Sequence, residues 1–202
     1  LTARPVRVTA DPTGLAIDTK TVANREGQTI TLVDGNGNET RFTYDANGNL
    51  LTQVRWDKNA NTTTTVASNS YDSKGLLLIT STDANGHQIS YTYDAGNRVL
   101  MRTVDPGAGK LNLITSYAYD AKGQSVSVTD PRGIVTQTSY DQGGRVLLVT
   151  VDPTGLNLRT QYSYDLTGQL LTVTEGYGSA TARTTQYTYD SAGRRTQQSV
   201  DP

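Results

Sequence analysis

Few side chains here are of a kind able to do chemistry. The chain has 202 residues, with 1 His, 0 Cys, 18 Lys and Arg, 19 Asp and Glu, and a formal net charge of −1. Without Cys there is no disulfide, no thiol nucleophile and no thiolate metal site. His87 is the single candidate imidazole base. It follows Asp83-Ala-Asn-Gly86 with no partner fixed by the sequence, and reads as an exposed loop histidine. Carboxylates are abundant, but nearly every Asp opens a turn signal, which is a structural role. Ser and Thr are frequent, yet no Gly-x-Ser-x-Gly nucleophile elbow occurs. Asp34-Gly-Asn36-Gly-Asn38 and Asp57-Lys-Asn59-Ala-Asn61 set oxygen ligands at alternate positions, as calcium loops do. An EF-hand loop needs Gly at its sixth position and Glu at its twelfth. Glu39 and Asp45 stand there in the first segment, Thr62 and Ser68 in the second, so neither fits. None of the Gly-containing turns leads into a helix, so the helix N-terminus that holds phosphate is missing. No catalytic residue, cofactor or metal is therefore expected, and the chain does not read as an enzyme.

Partners are bounded in the same way. A charge so close to zero gives no electrostatic case for nucleic acid. No apolar run approaches the roughly 20 residues of a membrane helix, and none exceeds the length of Leu76 to Ile79. Asn38-Glu-Thr40 and Asn61-Thr-Thr63 match N-glycosylation acceptors. Leu1 is not an initiator Met, and Asp201-Pro202 matches the first half of the turn Asp152-Pro153-Thr154-Gly155. The expectation is a piece of a longer chain, so the absence of a targeting signal carries little weight.

The elements that position these residues repeat. Tyr-Asp recurs at Tyr44-Asp45, Tyr71-Asp72, Tyr93-Asp94, Tyr119-Asp120, Tyr140-Asp141, Tyr164-Asp165 and Tyr189-Asp190, in steps of 21 to 27 residues. Three residues after the Asp stands Gly48, Gly75, Gly123, Gly144, Gly168 or Gly193. At the third copy it is Asn97, the residue that best replaces Gly at positive φ. Ala23-Asn24-Arg25-Glu26-Gly27 is a weaker early copy. Between these runs a second series: Asp11-Pro-Thr-Gly14, Asp34-Gly-Asn-Gly37, Asp83-Ala-Asn-Gly86, Asp130-Pro-Arg-Gly133, Asp152-Pro-Thr-Gly155 and Glu175-Gly-Tyr-Gly178, with looser versions at Asp57 and Asp105. Asp accepts backbone N–H groups two residues on, Pro presets φ, and Gly supplies the left-handed residue of a type I turn with a G1 bulge. Turn signals every 8 to 14 residues, separated by β-branched and aromatic residues, predict short antiparallel strands of about eight residues. No stretch shows helix periodicity.

Six residues past each Asp lie Leu51, Leu78, Leu100, Val126, Leu147, Leu171 and Thr196, which predicts a ladder burying apolar surface between hairpins. A second aromatic precedes the motif Tyr by two: Phe42, Tyr91, Tyr117, Tyr162 and Tyr187. Period two puts each pair on one face. Eleven of the 12 Tyr belong to the repeat, and Tyr177 stands outside it. The polar run Asp57 to Ser70 reads as a long mobile hairpin loop. The fold class is all-β: antiparallel hairpin repeats stacked into a curved, spiralling sheet, one array of about eight units over residues 1–202.

Tyr-x-Tyr-Asp-x-x-Gly-Arg with a preceding Thr-Asp-x-x-Gly resembles the YD or Rhs repeat. Tyr187-Thr188-Tyr189-Asp190-Ser191-Ala192-Gly193-Arg194 and Tyr140-Asp141-Gln142-Gly143-Gly144-Arg145-Val146 carry the resemblance best. Such repeats occur in bacterial Rhs polymorphic toxins, Tc toxin B and C components, wall-associated bacterial proteins and animal teneurins. The resemblance implies a spiral sheet that, in the toxins, forms a shell around a C-terminal toxic domain. It also implies a secreted or cell-surface location, with neighbouring repeats and a cargo toxin domain as partners. The family's Asp-Pro-x-Gly-Leu self-cleavage motif has look-alikes at Asp152-Pro153-Thr154-Gly155-Leu156 and Asp11-Pro12-Thr13-Gly14-Leu15. Both occupy second-series positions and read as ordinary turns. A structural shell segment is the preferred reading. The alternative is an adhesion or carbohydrate-binding module, with exposed Tyr stacking on sugar and a glycan or surface receptor as partner. Regular recurrence of Tyr favours burial between hairpins, hydroxyl to backbone. Bare strand edges predict some self-association.

Overall fold

Strands form wherever β-branched and aromatic residues alternate between two Asp-opened turns, because each turn closes before a helix could nucleate. A computed structural model describes residues 4–10 and 17–201, with side chains from residue 19 onward. Among the described residues there are strands and turns and no helix. The expected turn Asp11–Gly14, with Leu15, lies outside them, as does Pro202.

The chain divides into two units, Leu1–Leu113 and Ile114–Pro202. The first holds β1 (Arg4–Ala10), β2 (Ile17–Ala23), β3 (Thr29–Val33), β4 (Glu39–Tyr44), β5 (Leu50–Asp57), β6 (Thr62–Tyr71), β7 (Leu78–Asp83), β8 (Gln88–Tyr93) and β9 (Val99–Val104). Each of these strands pairs antiparallel with the next. The second unit runs from β10 (Leu113–Tyr119) through β11 (Ser125–Thr129), β12 (Val135–Tyr140), β13 (Val146–Val151), β14 (Leu158–Tyr164), β15 (Leu170–Glu175) and β16 (Arg183–Tyr189) to β17 (Arg195–Asp201). It too is an uninterrupted antiparallel meander. The all-β hairpin-repeat class read from the sequence is the observed one.

The two faces of each meander differ. In β4 the Tyr face carries Thr40, Phe42 and Tyr44, all half-buried, while Arg41 and Thr43 opposite are exposed. β12 and β16 repeat this pattern at Tyr140 and Tyr189. On the opposite face, cross-strand hydroxyl pairs link Thr43 to Thr52 (2.6 Å), Ser70 to Thr80 (2.6 Å), Ser163 to Thr172 (2.6 Å) and Thr174 to Thr184 (2.9 Å). Such pairs stabilise a hairpin without a buried core.

Three sequence expectations need correction. First, Asp57 to Ser70 is no loop. The turn is confined to Lys58–Asn61, where Asn61 takes φ 50°, and the Thr run opens β6, at ten residues the longest strand. β-Branched Thr favours the extended backbone more strongly than polarity favours a loop. Second, the aliphatic ladder is only partly covered: Leu100 is 40% exposed and Leu147 and Leu171 are each 37% exposed. The pairing register steps over Leu51, Leu100, Val126, Leu147, Leu171 and Thr196, as it does over Ile30 and Ile79. These residues are β-bulges, which turn side chains away from straight cross-strand stacking. Among the described residues no apolar side chain is fully buried, and Thr150 is the only buried residue. Third, the Asp152 turn departs from the ordinary second-series geometry, as described below.

Candidate functional site

The repeated site is a turn plus the tyrosine that precedes it. In the Asp45 turn, the Asp45 carbonyl accepts Gly48 N–H (3.2 Å) and the Asp45 N–H donates to the Asn49 carbonyl (2.9 Å). Asp45 Oδ1 accepts the N–H groups of Asn47 and Asn49, and its Oδ2 accepts Asn49 Nδ2, all at 2.9 Å. Gly48 sits at φ 88°, closing the G1 bulge where a side chain would be strained. The same carboxylate-to-backbone pattern recurs at Asp94, Asp120, Asp141, Asp165 and Asp190. Asn97 takes Gly's place at φ 63°. In the Asp72 turn an extra residue shifts closure to Leu77, leaving Leu76 69% exposed.

These hydrogen bonds are made to the ionised carboxylate. The Asn49 side chain, then the backbone N–H groups, hold Asp45 below its usual 3.8. Arg98 does the same for Asp94, through its guanidinium first and its N–H second. At Asp141 and Asp190 the leading cause is the N–H of Arg145 and Arg194, with the guanidinium adding to it. Arg98, Arg145 and Arg194 lie 2.6, 2.6 and 2.8 Å from these carboxylates.

The tyrosine fastens one hairpin to the one before it. Its hydroxyl donates to the carbonyl of the first residue after the preceding turn: Tyr44 to Thr29 (2.8 Å), Tyr71 to Leu50 (3.2 Å), Tyr93 to Leu78 (2.7 Å), Tyr140 to Ser125 (2.8 Å) and Tyr189 to Leu170 (2.8 Å). Burial raises the hydroxyls of Tyr93 and Tyr164 above their usual 10.0. At Tyr164 the ring lies beneath the Arg145 guanidinium, 4.9 Å from its centroid. The rings of Tyr91, Tyr117, Tyr162 and Tyr187 are half-buried on the same face, and Tyr91 stands 6.4 Å from Tyr93. Half-buried rings, with the hydroxyls of Tyr44, Tyr71, Tyr93, Tyr140 and Tyr189 committed to backbone, leave little of the open platform that sugar stacking requires.

A second link escaped the sequence reading. The residue after the turn Gly reaches the tip of the next Tyr-Asp turn. Gln28 Nε2 donates to Gly48 O (2.9 Å), Asn49 Nδ2 to Gly75 O (2.6 Å), Gln124 Nε2 to Gly144 O (3.2 Å) and Arg145 Nη1 to Asp165 O (3.0 Å). The signal was present in that column, which reads Gln, Asn or Arg in every copy but the lengthened one, where it is Leu76.

In the second series, Asp34, Asp83 and Asp130 build the same turn. Both Asp34 oxygens are engaged by Asn36 and Asn38. Asp57 Oδ1 accepts Asn59 and Ala60 N–H. His87 is paired after all: its Nδ1 lies 3.1 Å from Asp83 Oδ2, within its own turn. Asp152 behaves otherwise. It takes the left-handed conformation itself (φ 54°), as Asp105 does (φ 53°), and its N–H crosses to Val135 O (2.7 Å). Gly155 is not left-handed. A Cβ there would collide with the Asp152 carboxylate, so Gly is required by close approach rather than by φ.

Antiparallel hairpins locked tip to tip and tyrosine to backbone define a β-hairpin repeat protein whose recurring residues do structural work. The RHS Repeat family matches residues 24–60, 71–110 and 119–156, more than half of the chain, and the chain belongs to that family. The chain is similar in fold to the crystal structure of TcdB2-TccC3-Cdc42, with a TM-score of 0.69 and 17% identity over 97% of this chain and 12% of that one. It is also similar to TcdB2-TccC3 without its hypervariable C-terminal region, with a TM-score of 0.68 and 16% identity over 99% of this chain and 12% of that one. The chain thus spans about an eighth of the length of these two chains. No curated protein sequence matches it significantly.

Proposed function

We propose that this chain is a stretch of wall in a secreted bacterial toxin shell of the Rhs and Tc kind, one array of about eight hairpin units over residues 1–202. In this reading it catalyses nothing. Its partners are the neighbouring repeats and a toxic C-terminal polypeptide of the same protein, which the wall separates from the surroundings. The repeated Tyr-Asp-x-x-Gly residues are its structural motif, and its free strand edges are where further repeats or second copies pair. The observation that carries the reading is that nearly every unit commits its tyrosine hydroxyl, or the side chain that follows its turn glycine, to the backbone of an adjacent unit. A sheet joined in this way extends indefinitely and needs no core, which suits a thin enclosure.

Limited proteolysis of the full-length product of the gene encoding this chain tests the proposal. The polypeptide following the repeats should resist digestion while the repeats are intact, and should be cut once the wall is opened by deleting the hairpin β12–β13. Digestion at the rate of the same polypeptide expressed alone would refute enclosure.

A further inference from the structure

Three second positions after a turn Asp carry Asn followed by Gly: Asn36-Gly37, Asn47-Gly48 and Asn85-Gly86. All three Asn are exposed. Glycine lacks the Cβ that would shield its nitrogen, so this pair is the one best able to cyclise. We infer that these turns are sites of spontaneous deamidation, and that the hairpin-to-hairpin contacts rank them, with Asn85 reacting first and Asn47 last.

The step needs no enzyme. The glycine N–H gives its proton to solvent hydroxide. The nitrogen then forms a bond to the asparagine Cγ, the Cγ–Nδ2 bond breaks, and ammonia leaves with a proton from water. Water next opens the five-membered imide at one of its two carbonyls. One opening yields aspartate and the other isoaspartate, whose main chain is longer by one methylene. Nothing is oxidised or reduced; overall an amide and water give a carboxylate and ammonium.

Two requirements separate the three sites. The glycine nitrogen must leave the Asp carbonyl it serves, and the Asn side chain must swing onto it. The first requirement is similar throughout: Gly37 N to Asp34 O is 2.9 Å, Gly48 N to Asp45 O is 3.2 Å and Gly86 N to Asp83 O is 3.0 Å. The second is not. Asn47 Nδ2 donates to Lys74 O of the next turn at 2.6 Å, so the departing group is tied to a neighbouring hairpin. The side chains of Asn36 and Asn85 make no hydrogen bond among the described residues. Access to the glycine differs as well. Gly48 lies beneath Gln28 Nε2 and Gly37 beneath the Lys58 side chain, whereas the Cβ direction of Gly86 meets nothing within 4 Å. Asn85 is therefore untethered and uncovered, Asn36 untethered but covered, and Asn47 both tethered and covered.

The product matters to the fold. Asp83 Oδ1 accepts the N–H groups of Asn85 and His87, both at 2.9 Å. An added methylene between residues 85 and 86 breaks that spacing in the turn that joins β7 to β8. The inference concerns ageing of the wall and stands whether or not the chain encloses a cargo.

The test is to incubate the folded protein in mildly alkaline buffer and follow each site by peptide mass spectrometry, with isoaspartyl methyltransferase labelling to identify isoaspartate. A parallel sample is kept unfolded in urea. Asn85 should convert about tenfold faster than Asn47 in the folded chain, the factor expected for one net hydrogen bond. In urea the three rates should draw together. Asn47 reacting as fast as Asn85 in the folded protein would overturn the inference, as would the same ranking persisting in urea. Slow conversion at all three sites in the folded protein, with rapid conversion in urea, would also overturn it.

Discussion

Replacing Tyr140 with Phe removes one hydroxyl and keeps the ring. The hydroxyl donates to Ser125 O at 2.8 Å, across from β12 to the first residue of β11. A net intramolecular hydrogen bond contributes about 0.5–1.5 kcal/mol, and a carbonyl left dry adds to the loss. The loss should be about 1 kcal/mol, the centre of that range. With a urea m-value of about 2 kcal/mol per molar, the unfolding midpoint should fall by about 0.5 M. Thr188→Val is the control. It deletes an exposed 2.9 Å hydroxyl pair on the opposite face and should shift stability by no more than about 0.5 kcal/mol. Urea titration followed by circular dichroism measures both. Combining Tyr140→Phe with Tyr189→Phe, whose hydroxyl serves a different carbonyl, should give nearly additive losses. A Tyr140→Phe midpoint equal to the parent's, or to that of Thr188→Val, would refute the tyrosine as the fastening between hairpins.

Other positions give independent tests. Gly48→Ala forces a side chain into φ 88° and should cost about 1–2 kcal/mol, read as a lower unfolding midpoint. Gly155→Ala should also destabilise, but by collision with the Asp152 carboxylate. Asp152→Gly in the same chain should therefore recover part of the loss, and no recovery would disprove the close-approach explanation. Acid should unfold the chain late. Carboxylates such as Asp45, Asp94 and Asp141 are held below 3.8, so their contribution is complete above the unfolded value and is lost as pH falls through the lowered values, where the unfolded chain binds more protons. Thermal melts should be level down to about pH 5 and decline below about pH 4, and a decline already between about pH 7 and 5 would contradict the turn chemistry.

Much of the fold was legible because the turns impose it locally. Asp, Gly and the preceding Tyr each answer a requirement set within five residues, so their spacing reveals the hairpins directly. Asn97 was readable for the same reason, since φ is a property of one residue. What escaped depended on neighbours far along the chain. Gln28, Asn49, Gln124 and Arg145 find partners 20 to 26 residues away, and a column of amides next to Gly looks merely polar until the hairpins lie side by side. The Leu ladder was misjudged because a bulge alters direction without altering composition. The Asp152 turn shares its letters with Asp130-Pro-Arg-Gly133, yet its N–H is drawn to Val135 on the adjoining strand, and that draw sets its φ. The Thr run is polar enough to resemble a loop, yet its β-branched side chains place it in β6.

The central claim is that these hairpins are wall rather than core or catalyst. Electron cryo-microscopy of the full-length product of the gene tests it most directly. The account predicts that the strands bearing Tyr44 to Tyr189 form one layer around a closed cavity containing polypeptide density. A map in which the same strands pack face to face as a solid sandwich, or line an open surface with nothing enclosed, would contradict it.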